Sequence, residues 1–324
     1  MTQPADTLPS PTAPPARPRL AMAMLILVCV IWAGAFVGLE IGPQPLQALD
    51  GEHRFTVSAF FLAARFGLAA LLLPLVLPRV LRQINRRNLL AGLALGPCFA
   101  FHLLTQMVGL SFPEMEPGKA AFLTALFVVF APLFALVLLG RKPRLGVLIG
   151  IPLAAIGAVF IDGPPEGGLT LAAWLNIVAA ALYGLQIVVT DVATRKGDPL
   201  AQTWFMILCC AVICTISFVV APGAADLAGN AGFAGALLDA RFWGSELYLA
   251  LISTVIALAL VNRWQREVSP NHAAILFTST PVFATLFSLI AGQEQGFSRW
   301  LVFGAAMILL ANLSAEFIGR KQPR

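Results

Sequence analysis

A few polar side chains stand inside long apolar stretches, and each brings its own chemistry. Arg65 lies near the middle of FFLAARFGLAALLLPL (60–75), where every other residue is apolar. Its guanidinium is a permanent charge with five donors, so carbonyls, an acid or a ligand carboxylate must meet it. On a helical wheel its own side carries Phe61, Leu68 and Leu72, while Ala63, Gly67, Ala70 and Pro74 form a small-residue ridge opposite. Two readings follow, a tie to a neighbouring helix and recognition of an anion. His102 and Gln106 stand one turn apart on one helical face. Imidazole is the side chain whose ordinary titration falls near neutral pH, so this face can accept a proton, contact a ligand or hold two helices together. Trp32 and Tyr183 offer aromatic walls to an organic solute, and Gln186 adds an amide one turn beyond Tyr183. Asn262 and Thr280 are weaker candidates.

Absences narrow the chemistry further. Glu40, Asp162, Asp191 and Glu316 fall near the ends of apolar stretches and none marks a helix centre, so proton exchange on an intramembrane carboxylate is not expected. EPGKA (116–120) is a superficial match to a nucleotide-binding loop, since the spaced first glycine and the final Ser/Thr are missing. No HExxH, clustered His/Cys set or convergent catalytic group is present, so neither an enzyme, a metal site nor a cofactor is expected. The five cysteines sit inside apolar runs and read as small core residues.

The elements that must position these groups are membrane helices. Of 324 residues 59% are hydrophobic and 11% charged, where soluble domains carry about 25%. Apolar runs of about 20 residues, enough to cross a hydrocarbon layer of about 30 Å, recur nearly end to end. They predict ten transmembrane helices at 20–41, 56–78, 88–110, 118–140, 144–162, 170–191, 200–221, 245–263, 271–292 and 298–318. The first 20 residues hold six prolines and read as a disordered tail (1–19), not a signal peptide, because the run after them is too long for one. Basic residues sit in short loops beside the runs and report topology rather than a nucleic-acid partner. With both termini cytoplasmic, 16 of the 21 Lys and Arg lie inside, four (Arg54, Lys119, Arg241, Arg299) lie outside, and Arg65 is within a span. The loop 222–244 then faces out, and residues 319–324 form a cytoplasmic tail.

After about residue 162 the pattern repeats. PGKAAFLTALFVVFAPLFALVLLG starts at Pro117 and PNHAAILFTSTPVFATLFSLIAG at Pro270, each with Ala-Ala three residues on and Pro-x-Phe-Ala later, at Pro132 and Pro281. Five spans per half is odd, so the halves (20–162 and 170–318) must cross the membrane in opposite senses. Inverted repeats of this sort mark transporters, with the substrate between them near the midplane and often beside interrupted helices. Pro132 and Pro281, deep in the fourth and ninth spans, are accordingly read as helix kinks.

In VIWAGAFVGLEIG from Val30, AARFGLAALLL from Ala63, GKAAFLTALFVVFAPLFALVLLG from Gly118 and TPVFATLFSLIAGQE from Thr280, the chain resembles the drug/metabolite transporter superfamily, in its ten-span form with two EamA-type repeats. The resemblance implies a small-metabolite carrier of the cell's inner (plasma) membrane, often an exporter of amino acids or related compounds. Its cavity would be built largely from helices 1, 3, 4, 6, 8 and 9, with helix 2 and Arg65 mostly outside it. A channel or scaffold subunit is the alternative, with an intramembrane enzyme behind it. The first half departs from the family's pattern where Gly140-Arg141 replaces Gly-Glu after the fourth span, while the second keeps Gln293-Glu294.

Overall fold

Among the described residues of the computed structural model (18–161, 168–194, 197–268, 276–293, 296 and 298–318) the chain is helical, without strands. Expectations for the tails, Asp162, Arg195, Lys196, the opening at Pro270 and Glu294, together with the side chains of Asn262 and Glu316, lie outside what is described. The long helices are α1 (Pro18–Ile41), α2 (Arg54–Val76), α3 (Arg86–Leu110) and α4 (Pro117–Leu139), followed by α5 (Leu145–Phe160) and α6 (Leu171–Ala193). Then come α7 (Pro199–Val220), α8 (Ala240–Val261), α9 (Thr280–Ile290) and α10 (Arg299–Phe317). Seven, all but α5, α9 and α10, are both long and apolar enough to cross a membrane, and those three are shorter apolar helices. This composition fits an integral membrane protein.

The helix starts are written in local chemistry. Asn85, Thr170, Asp198 and Ser298 each accept a hydrogen bond from a backbone N–H three residues on, satisfying a donor that the first turn leaves free. Pro117 and Pro199 occupy the first turn, where a missing N–H costs nothing. Gly140 ends α4 with φ 65°, and the N–H groups of Gly140 and Arg141 return to Leu136 and Ala135, the double closure that a left-handed residue permits. The eighth helix begins at Ala240, five residues ahead of the expected 245. Asp239 caps it by accepting from Arg241 N–H at 2.8 Å, and Phe242, 2% exposed, anchors its first turn on Phe60 and Phe61.

Three helices are irregular. In α4 a tight turn at 125–126 separates Pro117–Thr124 from Phe127–Leu139, with three-residue hydrogen bonds from Val128 to Ala125 and from Val129 to Leu126. The corresponding turn before α9 is at 278–279, where Ser279 bonds back to Leu276. Each turn occupies the eighth and ninth positions after the proline that opens its repeat, Pro117 or Pro270. Pro132 comes six residues after its turn, whereas Pro281 opens the helix that restarts at Thr280. The interruptions therefore keep step with the opening prolines. In α8, Tyr248–Ile256 winds as a π-helix, a rare wide form that is frequent at functional sites.

Packing joins the first five helices to the last five. The most extensive pairs are α5 with α10, α3 with α6 and α7, α2 with α7, α1 with α9, and α4 with α6; α4 also meets α9, and α2 and α1 meet α8. The α5–α10 pair depends on glycine: a Cβ on Gly157 would stand 2.7 Å from the Gly304 carbonyl oxygen, so the two backbones touch there.

Candidate functional site

The site begins with His102, 5% exposed on α3. Its Nδ1–H donates to the Ala179 carbonyl of α6 at 2.9 Å, which fixes the tautomer and leaves Nε2 as the acceptor. The imidazole lies flat on Tyr183, centroids 4.8 Å apart and planes 18° apart, and Phe127 meets the other part of the phenol edge-on at 4.8 Å. Gly184 makes this possible, because a Cβ there would stand 2.9 Å from the Ala131 nitrogen of α4. Phe127 follows the turn of α4, so the interrupted helix delivers its ring to this stack.

Trp32 lies in a second, similar cluster. Its ring is 5.7 Å from Phe277, just before the turn that precedes α9, and its Nε1–H donates to the Ser253 carbonyl in the π-helical stretch at 3.2 Å. Tyr248 of the same stretch donates to the Ile31 carbonyl at 2.7 Å. His102 and Tyr183 are thus brought together, and Trp32 has a separate set of partners. Gln106, 3% exposed, donates to Thr124 Oγ1 at 2.7 Å, at the last residue before the α4 turn. Gln186 is buried and donates to Met206 Sδ on α7 at 3.5 Å, which places its amide between helices rather than beside the phenol.

Arg65 is 6% exposed and its Nη2 donates to Thr254 Oγ1 of the π-helical stretch at 3.3 Å. Thr254 in turn donates to the Leu249 carbonyl at 2.8 Å, capturing an acceptor five residues back as the wider winding allows. The guanidinium covers the Phe66 ring at 5.0 Å, and Phe66, Phe99 and His102 follow one another at 5.5 and 6.4 Å, so charge and stack share one aromatic path. On the opposite ridge nothing stands within 4 Å of a Cβ built on Gly67, while Ala70 is buried and its carbonyl accepts from Trp204 Nε1–H at 2.9 Å.

The sequence reading missed one residue here. Glu246 on α8 is 1% exposed, and the Arg65 guanidinium acts on it electrostatically. With the eighth span placed from 245, this acid stood at a membrane edge; with the helix starting at Ala240 it is inside the bundle, and a buried carboxylate is present after all. Outside this core, Arg141 donates to Asp191 at 2.7 Å, so this arginine pairs with the end of α6. EPGKA is the first turn of α4, closed by a Lys119–Glu116 ion pair at 3.3 Å. Among the described residues no group of three or more His, Cys, Asp or Glu could hold a metal ion, and all five cysteines are free.

Residues 170–314 match the sequence model of the EamA-like transporter family. An "Uncharacterized transporter" of Archaeoglobus fulgidus is 25% identical over 289 residues, covering 89% of this chain and 82% of that protein. A protein solved by crystallography, 17% identical, superposes with a TM-score of 0.55 over 93% of this chain and 96% of its own, which shows that the two share a fold.

Proposed function

We propose that this protein is a transporter of small organic metabolites that works by alternating access, with ten spans arranged as two inverted five-helix halves. One observation carries the reading: the two interrupted helices pack on each other, and each brings a phenylalanine beside its turn to the aromatic of the other half's first helix, Phe277 to Trp32 and Phe127 to Tyr183. Exchanging the halves maps α1–α9 onto α6–α4, α1–α8 onto α6–α3 and α2–α8 onto α7–α3, all of which are observed contacts. Interrupted helices at a repeat interface are where transporter folds bind substrate. The match of 170–314 to the EamA-like transporter family and the Archaeoglobus fulgidus relative support the same class.

The substrate would lie against Trp32, His102, Gln106 and Tyr183, with Gln186 and Arg65 behind them, while Pro132 and Pro281 stiffen the segments beyond the turns. Aromatic faces with few polar groups suit amino acids or related compounds, exported across the inner membrane with both termini cytoplasmic. Saturable solute flux by the pure protein in proteoliposomes is the expected result. Flux linear in concentration would make it a channel, and no flux of any small metabolite tested would leave a scaffold role.

A further inference from the structure

Glu246 stands apart from every other acid among the described residues. Its side chain is 1% exposed inside an apolar span, and neither carboxylate oxygen has a hydrogen-bond partner. Arg65 is the charge that acts on it, yet Arg65 spends a donor on Thr254 and keeps Nε–H unpartnered. An ionised carboxylate buried without donors is among the costliest arrangements a protein can hold, and it is relieved either by a proton or by a directly bonded cation. Three side chains thus have two self-consistent arrangements. In one, Arg65 bonds Thr254 and Glu246 is a neutral carboxylic acid. In the other, Arg65 bonds Glu246, which is a carboxylate.

We propose that Glu246 is the proton-binding group of this protein, and that Arg65, exchanging between Thr254 and Glu246, couples its protonation to movement of α8. The step balances simply: the Glu246 O–H bond breaks, the proton leaves to water, and the carboxylate takes up the freed guanidinium donors. The π-helical winding gives α8 a way to respond, because the Thr254 hydroxyl is held by the Leu249 carbonyl and not by its own α-helical acceptor. Phe60, Phe61 and Phe242 pack over the start of this segment. The elements packed on Ala240–Leu247 bring few other ionisable groups: Arg19, Cys29 and Glu40 from α1, Arg54 from α2, and Tyr248 from the segment that follows; none of them acts on Glu246 as Arg65 does. Cys210 and Cys214 of α7 and His102 of α3 face Arg65 instead.

The coupling rests on the transporter reading, and two measurements separate them. Infrared titration of the detergent-solubilised protein should show a protonated-carboxyl C=O band that disappears as pH rises. The band should be absent in Glu246→Gln, and in Arg65→Gln it should persist to higher pH, because the cation that favours the carboxylate is gone. A band unchanged in Glu246→Gln overturns the proposal. Should Glu246→Gln fail to fold, the double variant Arg65→Gln/Glu246→Gln, neutral on both sides, must also lack the band. In proteoliposomes holding a pH-sensitive dye, solutes from a metabolite panel that move through the wild type should move with protons, and solute exchange by Glu246→Gln should lose its dependence on pH. Solute flux without proton movement overturns the coupling. If no solute moves, the transporter reading falls and the coupling with it, while the infrared titration still decides whether Glu246 binds a proton.

Discussion

At the scale of single residues, what matters is which polar atoms find partners inside the bundle. Arg65→Ala should be costly, because it removes the charge opposite Glu246 as well as the Thr254 bond; about 3 kcal/mol is the expected loss, measured by unfolding in detergent. Arg65→Ala/Glu246→Gln should recover part of that loss, and a double variant no more stable than the single one would mean the two charges do not communicate. Tyr183→Ala should remove a stack worth about 1 kcal/mol and leave His102 with its Ala179 bond, so solute affinity should fall while the fold survives. By contrast, Arg141→Ala, at a half-exposed ion pair, should shift stability by no more than about 1 kcal/mol. The sequence made Arg65, His102 and Tyr183 visible because a charge or an imidazole inside an apolar run is conspicuous. Glu246 was hidden, since its burial comes from the packing of α1 and α2, far earlier in the chain, against the start of α8, and from a span boundary that hydropathy places only to within a few residues.

Among the helices, the interruptions and close contacts give the sharpest tests. Because the α4 turn lies six residues before Pro132, Pro132→Ala should leave the turn open, and amide exchange at Val128 and Val129 should remain fast. Protection of those amides in the variant would show that the proline dictates the break. Gly157→Val would drive a side chain into the Gly304 carbonyl and should cost about 3 kcal/mol or abolish expression. The cap of α8 has a pH dependence of known sign: hydrogen bonds from Arg241 hold the Asp239 carboxyl below the usual carboxylate range, so the cap's contribution is complete above the ordinary carboxylate value and is lost as pH falls through the depressed one. Helix positions were legible from hydropathy within a few residues. The turns at 125–126 and 278–279 and the π-helical stretch were not, because they lie within continuous apolar runs, and hydropathy reads the length of a run and not its local winding.

At the scale of the whole molecule, the orientation read from basic residues gives a direct prediction: a cysteine placed at Asn230, in the α7–α8 connection, should react with an impermeant thiol reagent added outside intact cells. Labelling only after the cells are opened would invert the topology.

The pairing of helices across the chain's midpoint also has a consequence for synthesis. The main partners of α1, α2, α3 and α5 are α9, α7, α6 with α7, and α10, all made later. At roughly 5–20 residues per second, the ribosome needs on the order of ten seconds to deliver that second half. In the proposed ten-span arrangement the first five helices wait in the bilayer for that interval with the Arg65 guanidinium, the His102 ring and Gly157 of α5 uncovered, which would make them substrates for membrane quality control. Two separately translated fragments, cut within 162–168, should therefore be degraded when made alone and rescue one another when made together.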